Sequence, residues 1–208
     1  MRISFAGTSA LHEPPDFRPK ELLTCLQRHA VDFVVIGGLA GIAHGSAYHS
    51  YDLDVAYERR RENLERLASA LRELSATLRG APQGLPFQLD AKTLENGANF
   101  TFDTPYGSLD ILTNPVGAPP YAVLKDVGSD AEIEGVMVRV ASLDHLIAMK
   151  EAAGRTKDKL MATEYRAISD LIRAPETHPH PNRGACETAP APAGLLVISG
   201  LQPRTPAH

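Results

Sequence analysis

The chain has 208 residues, of which 43% are hydrophobic and 22% charged, so it can bury an ordinary core and is neither fibrous nor disordered by composition. Its formal net charge of −4 excludes a dedicated, globally basic nucleic-acid binder, and any nucleic-acid contact has to come from a local basic patch. Its two cysteines, Cys25 and Cys186, make neither a disulfide framework nor a zinc spacing, no apolar run is long enough to span a bilayer, and the N-terminus lacks a secretory core; a reducing, cytoplasmic setting without a membrane is expected.

Residues 1–17 have no periodicity and read as an irregular lead-in. Pro19 suits the first turn of a helix, and Leu22, Leu23 and Leu26 recur at helical spacing, which predicts a helix over 19–29. The branched run 31–36 reads as a buried strand that stops at Gly37–Gly38, followed by a short helix over 39–44. Residues 51–57 alternate, with Leu53 and Val55 on one face and Asp52 and Asp54 on the other, a strand signature. Leu64, Leu67, Leu71 and Leu74 then make one stripe of a helix over 59–74. A Gly/Pro turn at 80–86 precedes expected strands at 87–89, 98–102 and 108–112, a short helix at 119–125, and a strand over 133–140 broken by Gly135. Ser142 is a plausible cap for a helix to about residue 152, and Thr156 for a last one to about 173. From residue 175 the chain is rich in Pro, Ala, Thr and His without a period, a tail with no expected structure. This order predicts an α/β (α+β) fold, a mixed sheet flanked by helices. Its core covers 18–140, and a small helical C-terminal lobe covers 141–174.

Three carboxylates carry the chemistry. Asp52 and Asp54, two apart on one strand face, repel each other unless a cation sits between them. Hard divalent ions such as Mg²⁺ take oxygen ligands, and a shared carboxylate pair suits metal-assisted phosphoryl displacement. Asp110, between Leu109 and Ile111 on a later strand, is the third acid; it can ligate the metal and help to deprotonate an attacking hydroxyl. Gly37–Gly38 follows a strand and opens a helix, where the backbone N–H groups of Gly38 and Leu39 can meet a triphosphate. Arg59, Arg60 and Arg61 read as a solvated helix face, while Arg155, Lys157 and Lys159 form a second basic cluster next to Lys150. His44 and His49 take packing or turn roles, and Tyr48 and Tyr51 suit either base stacking or strand packing.

The arrangement Ile36-Gly37-Gly38, then Asp52-Leu53-Asp54, then Asp110, resembles the nucleotidyltransferase superfamily typified by polymerase beta. Within it, residues 37–40 (GGLA), 44–46 (HGS), 52–54 (DLD), 146–150 (LIAMK) and 153–158 (AGRTKD) are most similar to the AbiEii and MenT-type nucleotidyltransferase toxins. The resemblance spans roughly residues 30–173. It implies nucleotidyl transfer from a nucleoside triphosphate with Mg²⁺ to the acceptor end of a transfer RNA, blocking translation, and a cognate antitoxin as a partner; the alternatives are a protein or small-molecule acceptor, such as an aminoglycoside, and a catalytically incomplete nucleotide-binding or antitoxin-like module. It also implies that Gly37, Gly38, Leu39, Lys150, Lys157 and Asp158 line the nucleotide cleft. The arginine and threonine that precede the acidic pair in relatives are absent here; Ser50 can stand in for the threonine. The further acid that follows the lysine segment corresponds to Glu164 or Asp170.

Overall fold

The computed structural model describes residues 16–82 and 87–174. Most of the expected lead-in, part of the expected turn (83–86), and the tail from 175 with its histidines and Cys186 lie outside the described residues. The described residues belong to one compact unit.

The elements follow the apolar pattern. Helix α1 (Pro19–Arg28), opened by proline, buries Leu22, Leu23 and Leu26. Strand β1 (Phe33–Ile36) is buried throughout and runs straight into α2 (Gly37–Ala43). Strand β2 (Asp52–Tyr57) and the amphipathic α3 (Arg61–Glu73) follow, the latter burying Leu64, Leu67 and Leu71. Next come β3 (Thr77–Leu78), α4 (Ala91–Asn96), β4 (Asn99–Thr104), β5 (Gly107–Leu112) and α5 (Tyr121–Val127). The described part ends with β6 (Ser129–Ile133), β7 (Val136–Val140), α6 (Leu143–Ala153) and α7 (Thr156–Arg173).

The seven strands form one mixed sheet in the order β3-β4-β5-β2-β1-β7-β6. β2 lies antiparallel to β1 and parallel to β5, and β1 lies parallel to β7. Register then sorts the side chains into two faces. Phe33, Val35, Leu53, Val55, Tyr57, Phe102, Leu109 and Ile111 fall on one face and join the core that also contains the leucines of α1 and α3. On the other face of β2, β5, β4 and β3 stand Asp52, Asp54, Ser108, Asp110, Thr101, Asp103 and Thr77. Thr77, Thr101 and Asp103 are exposed. One half of the sheet thus presents a polar, acidic surface backed by a dry core.

Three expectations need correction. Residues 87–89 are not a strand: Phe87 is apolar because its ring packs on Phe100 and Phe102, with centroids 6.3 Å away in each case, not because its backbone pairs. The outer strand is instead Thr77–Leu78, too short to leave a pattern, and α4 is likewise too short, although Asp90 caps it by accepting from the Thr93 amide at 2.8 Å. The stretch 133–140 is not one interrupted strand but the end of β6, a two-residue turn and β7. Glu134 and Gly135 both adopt positive φ, at 48° and 82°, as a tight hairpin turn of this twist demands. At the last helix the cap position is Arg155, one residue before Thr156.

Candidate active site

Parallel pairing of β2 with β5 places Asp52 opposite Ser108 and Asp54 opposite Asp110. Three carboxylates from two strands therefore converge, each offering an oxygen within 4.8 Å of the others. All three are half-buried. Burial, reinforced by the charges of Asp52 and Asp110, pushes the Asp54 carboxyl up to about 7. Burial also raises Asp110, against the opposing pull of the Arg79 guanidinium. Asp110 Oδ1 is buried without an aligned hydrogen bond, although Arg79 Nη2 stands 3.1 Å away as an ion-pair partner. Mutually repelling, incompletely satisfied oxygens are what a hard divalent cation would relieve, so the donor set fits Mg²⁺.

The residues around the carboxylates hold them in place. The Ser50 hydroxyl donates to Asp52 Oδ1 at 3.0 Å. Gly37, with φ of +68°, opens α2 beside Asp54: a Cβ there would lie 2.0 Å from Asp54 Oδ2. A Cβ on Gly38 would lie 2.4 Å from Ser50 Oγ. The two glycines thus let the β1–α2 turn close directly onto the side chains of the acidic strand and its approach loop. Gly37, Gly38 and the buried Leu39 form the first turn of α2, whose N–H groups have no partner within the helix.

Lys150, near the end of α6, ion-pairs with Asp158 at 3.3 Å, and Arg155 Nε bonds the other oxygen of that carboxylate at 2.6 Å. Asp158 is almost fully buried, and these two cations hold its carboxyl below the usual range against the cost of burial. Asp158 is therefore a strut that orients Lys150, whose charge acts on Asp54. Lys157 is exposed on the first turn of α7 and makes no ion pair among the described residues. Of the two acids left open by sequence, Glu164 makes contacts near the site. It accepts from Ser46 Oγ at 2.6 Å and from the Ala47 amide at 2.9 Å, tying α7 to the loop that leads into β2, whereas Asp170 is exposed. His44 has a structural role, its Nε2 donating to the Ala141 carbonyl at 2.8 Å. The Arg59–Arg61 run is exposed: Arg60 reaches Asp32 at 3.6 Å and Arg61 reaches Glu65 at 3.2 Å.

No family model and no curated protein matches the chain. Solved structures do. A lincosamide antibiotic adenylyltransferase, LnuA, solved with lincomycin bound, superposes with a TM-score of 0.50 at 15% identity, over 74% of this chain and 99% of that one. The chain has the nucleotidyltransferase fold. A Thermotoga maritima protein assigned as a nucleotidyltransferase is similar over 75% of this chain and 98% of its own, with a TM-score of 0.46 at 14% identity. A nucleotidyltransferase-like antigenic protein from Paracoccidioides brasiliensis is similar over 76% and 79%, with a TM-score of 0.45 at 15% identity.

On this nucleotidyltransferase fold, a groove of about 1670 Å³ adjoins the acidic strand, reaching Ser50 and Ser108 beside Asp52. Tyr48, His49 and the exposed Tyr51 line it, with Phe17 and Ile133. Its charged lining is acidic: Asp16, Asp103, Glu132 and Glu134, with no lysine or arginine among the described residues. Sequence reasoning missed two residues beside the acids, Asp103 and Arg79. Asp103 lies on β4 and Arg79 directly follows the two-residue β3, neither of which carries a motif; the pairing of Asp103 with Ser108 and the bonds of Arg79 to β4 bring them to the acids.

Proposed function

We propose that the chain is a Mg²⁺-dependent nucleotidyltransferase that moves a nucleoside monophosphate from a nucleoside triphosphate to an acceptor hydroxyl. The convergence of Asp52, Asp54 and Asp110 carries this reading. These three carboxylates would hold Mg²⁺, which when bound supplies charge neutralisation and Lewis-acid polarisation at the phosphates. The amides of Gly38 and Leu39 would face the triphosphate, with Gly37 shaping the turn that presents them. Lys150, aimed by Asp158, would neutralise its charge, and the neighbouring Lys157 would add to the positive field. Asp110, raised above the ordinary carboxylate range, would take the proton of the acceptor hydroxyl. The acceptor oxygen then bonds to the α-phosphorus as the bond to the bridging oxygen breaks, and pyrophosphate leaves.

The motif resemblance supports the 3′ end of a transfer RNA as acceptor, and with it a toxin role and a cognate antitoxin. A second reading, a small-molecule acceptor, is favoured by one observation. The groove beside Asp52 has an acidic lining that repels a polyanion and attracts an amine-bearing molecule. Incubation with Mg²⁺, each α-labelled nucleoside triphosphate and either total transfer RNA or a panel of hydroxylated amines separates the two. Label in RNA, lost in Asp52→Ala, supports the first; label in the small molecules, lost likewise, supports the second. Label in neither, with folded protein, would overturn the transferase reading.

A further inference from the structure

Arg79 stands apart from every other cation near the site. Among the described residues it is the only one within ion-pair distance of Asp52, Asp54 or Asp110. Lys150, the other positive charge acting on Asp54, is engaged by Asp158.

Its guanidinium is held by groups other than the triad. Nε bonds Asp103 Oδ1 at 2.9 Å, Nη2 donates to the Phe102 carbonyl at 3.0 Å, and the Arg79 amide donates to the Thr101 carbonyl at 2.9 Å. These bonds fix the plane of the group against β4. Nη2 then stands 3.1 Å from Asp110 Oδ1, without the alignment of a hydrogen bond. A cation anchored elsewhere and merely pressed against a carboxylate acts by its charge and leaves the lone pairs of that oxygen free for another ligand.

We propose that Arg79 is a positioning residue, a fixed counter-charge that holds the acidic cluster together before a divalent cation arrives and weakens the cluster's grip on that cation. Tight metal loading then depends on the additional oxygens that a triphosphate brings. Asp103 is part of the device, because it shares the guanidinium and keeps it from closing fully onto Asp110. This inference rests on the metal-site reading above.

The test is Mn²⁺ binding to the full chain at pH 8 without nucleotide, followed by the loss of the free-ion electron paramagnetic resonance signal. Arg79→Gln is expected to bind Mn²⁺ about tenfold more tightly, since a unit charge a few ångströms from the ion is removed in a partly screened site. Asp103→Asn is expected to bind about threefold more weakly, because the guanidinium, its charge partner at position 103 lost, leans onto Asp110. A misfolded variant would lose affinity, so the tightening cannot come from damage to the fold. Unchanged or weaker binding in Arg79→Gln, or no loss in Asp103→Asn, overturns the role of Arg79 and leaves the metal site standing. Absence of Mn²⁺ binding in both the wild-type protein and Arg79→Gln overturns the metal site itself and this inference with it.

Discussion

Asp54 shows at the scale of one residue what the site costs the fold. Its carboxyl ionises near 7 in the folded chain against 3.8 for the free group, because burial and two neighbouring carboxylates oppose its charge. The folded state therefore binds the proton more tightly than the unfolded one. That contribution to stability is fully present below about pH 4 and is lost as pH rises towards 7. In the metal-free protein, Asp54→Asn is expected to be more stable than the wild type at pH 8 by about 2–4 kcal/mol, with the gain vanishing near pH 4. Denaturant unfolding in chelator at both pH values measures this, and equal stabilities at pH 8 would contradict it. The same protonation competes with a cation, so metal loading is expected to fall as pH drops through about 7.

Among the elements, the β1–α2 turn and helix α7 do the positioning. Gly37→Ala places a Cβ 2.0 Å from Asp54 Oδ2 at a positive φ, so it should cost roughly 1–3 kcal/mol and drop transfer by about a hundredfold; wild-type turnover in that variant would show the close approach to be dispensable. Glu164→Ala removes two hydrogen bonds to the loop before β2 and should lower stability by about 1–3 kcal/mol, read as a lower melting temperature. Most of this was legible in the chain. The alternation of 51–57 identified β2 and its acidic face, and the leucine stripes identified α1 and α3, because burial on one side imposes a period. What stayed hidden had no period to impose: the two-residue β3, the single turn and a half of α4, and the partition of 133–140 into two strands. Arg79 and Asp103 were illegible for a related reason, since their place beside Asp110 is set by strand pairing across three chain segments rather than by spacing along one. Glu164 and Asp170 looked equivalent as acids on one helix; only the packing of α7 distinguishes the face that meets Ser46.

For the whole molecule, the site works as a linkage between ligands and the folded state. Anything that satisfies the three carboxylates stabilises the chain in proportion to its binding. A Mg²⁺–nucleoside triphosphate complex at a hundredfold excess over its dissociation constant should add about 2.7 kcal/mol and raise the melting temperature, and Asp52→Ala should abolish the rise. An undiminished shift in that variant would move the nucleotide elsewhere on the surface. The described residues contain no helix long and apolar enough to cross a membrane. The acids occupy positions 52, 54 and 110, whereas the lysine that faces them, its buried strut and the carboxylate that fastens the approach loop arrive only at 150, 158 and 164. In the order of synthesis, a growing chain carries the acids and Arg79 well before Lys150, and the site is not complete until the last described helix has been made.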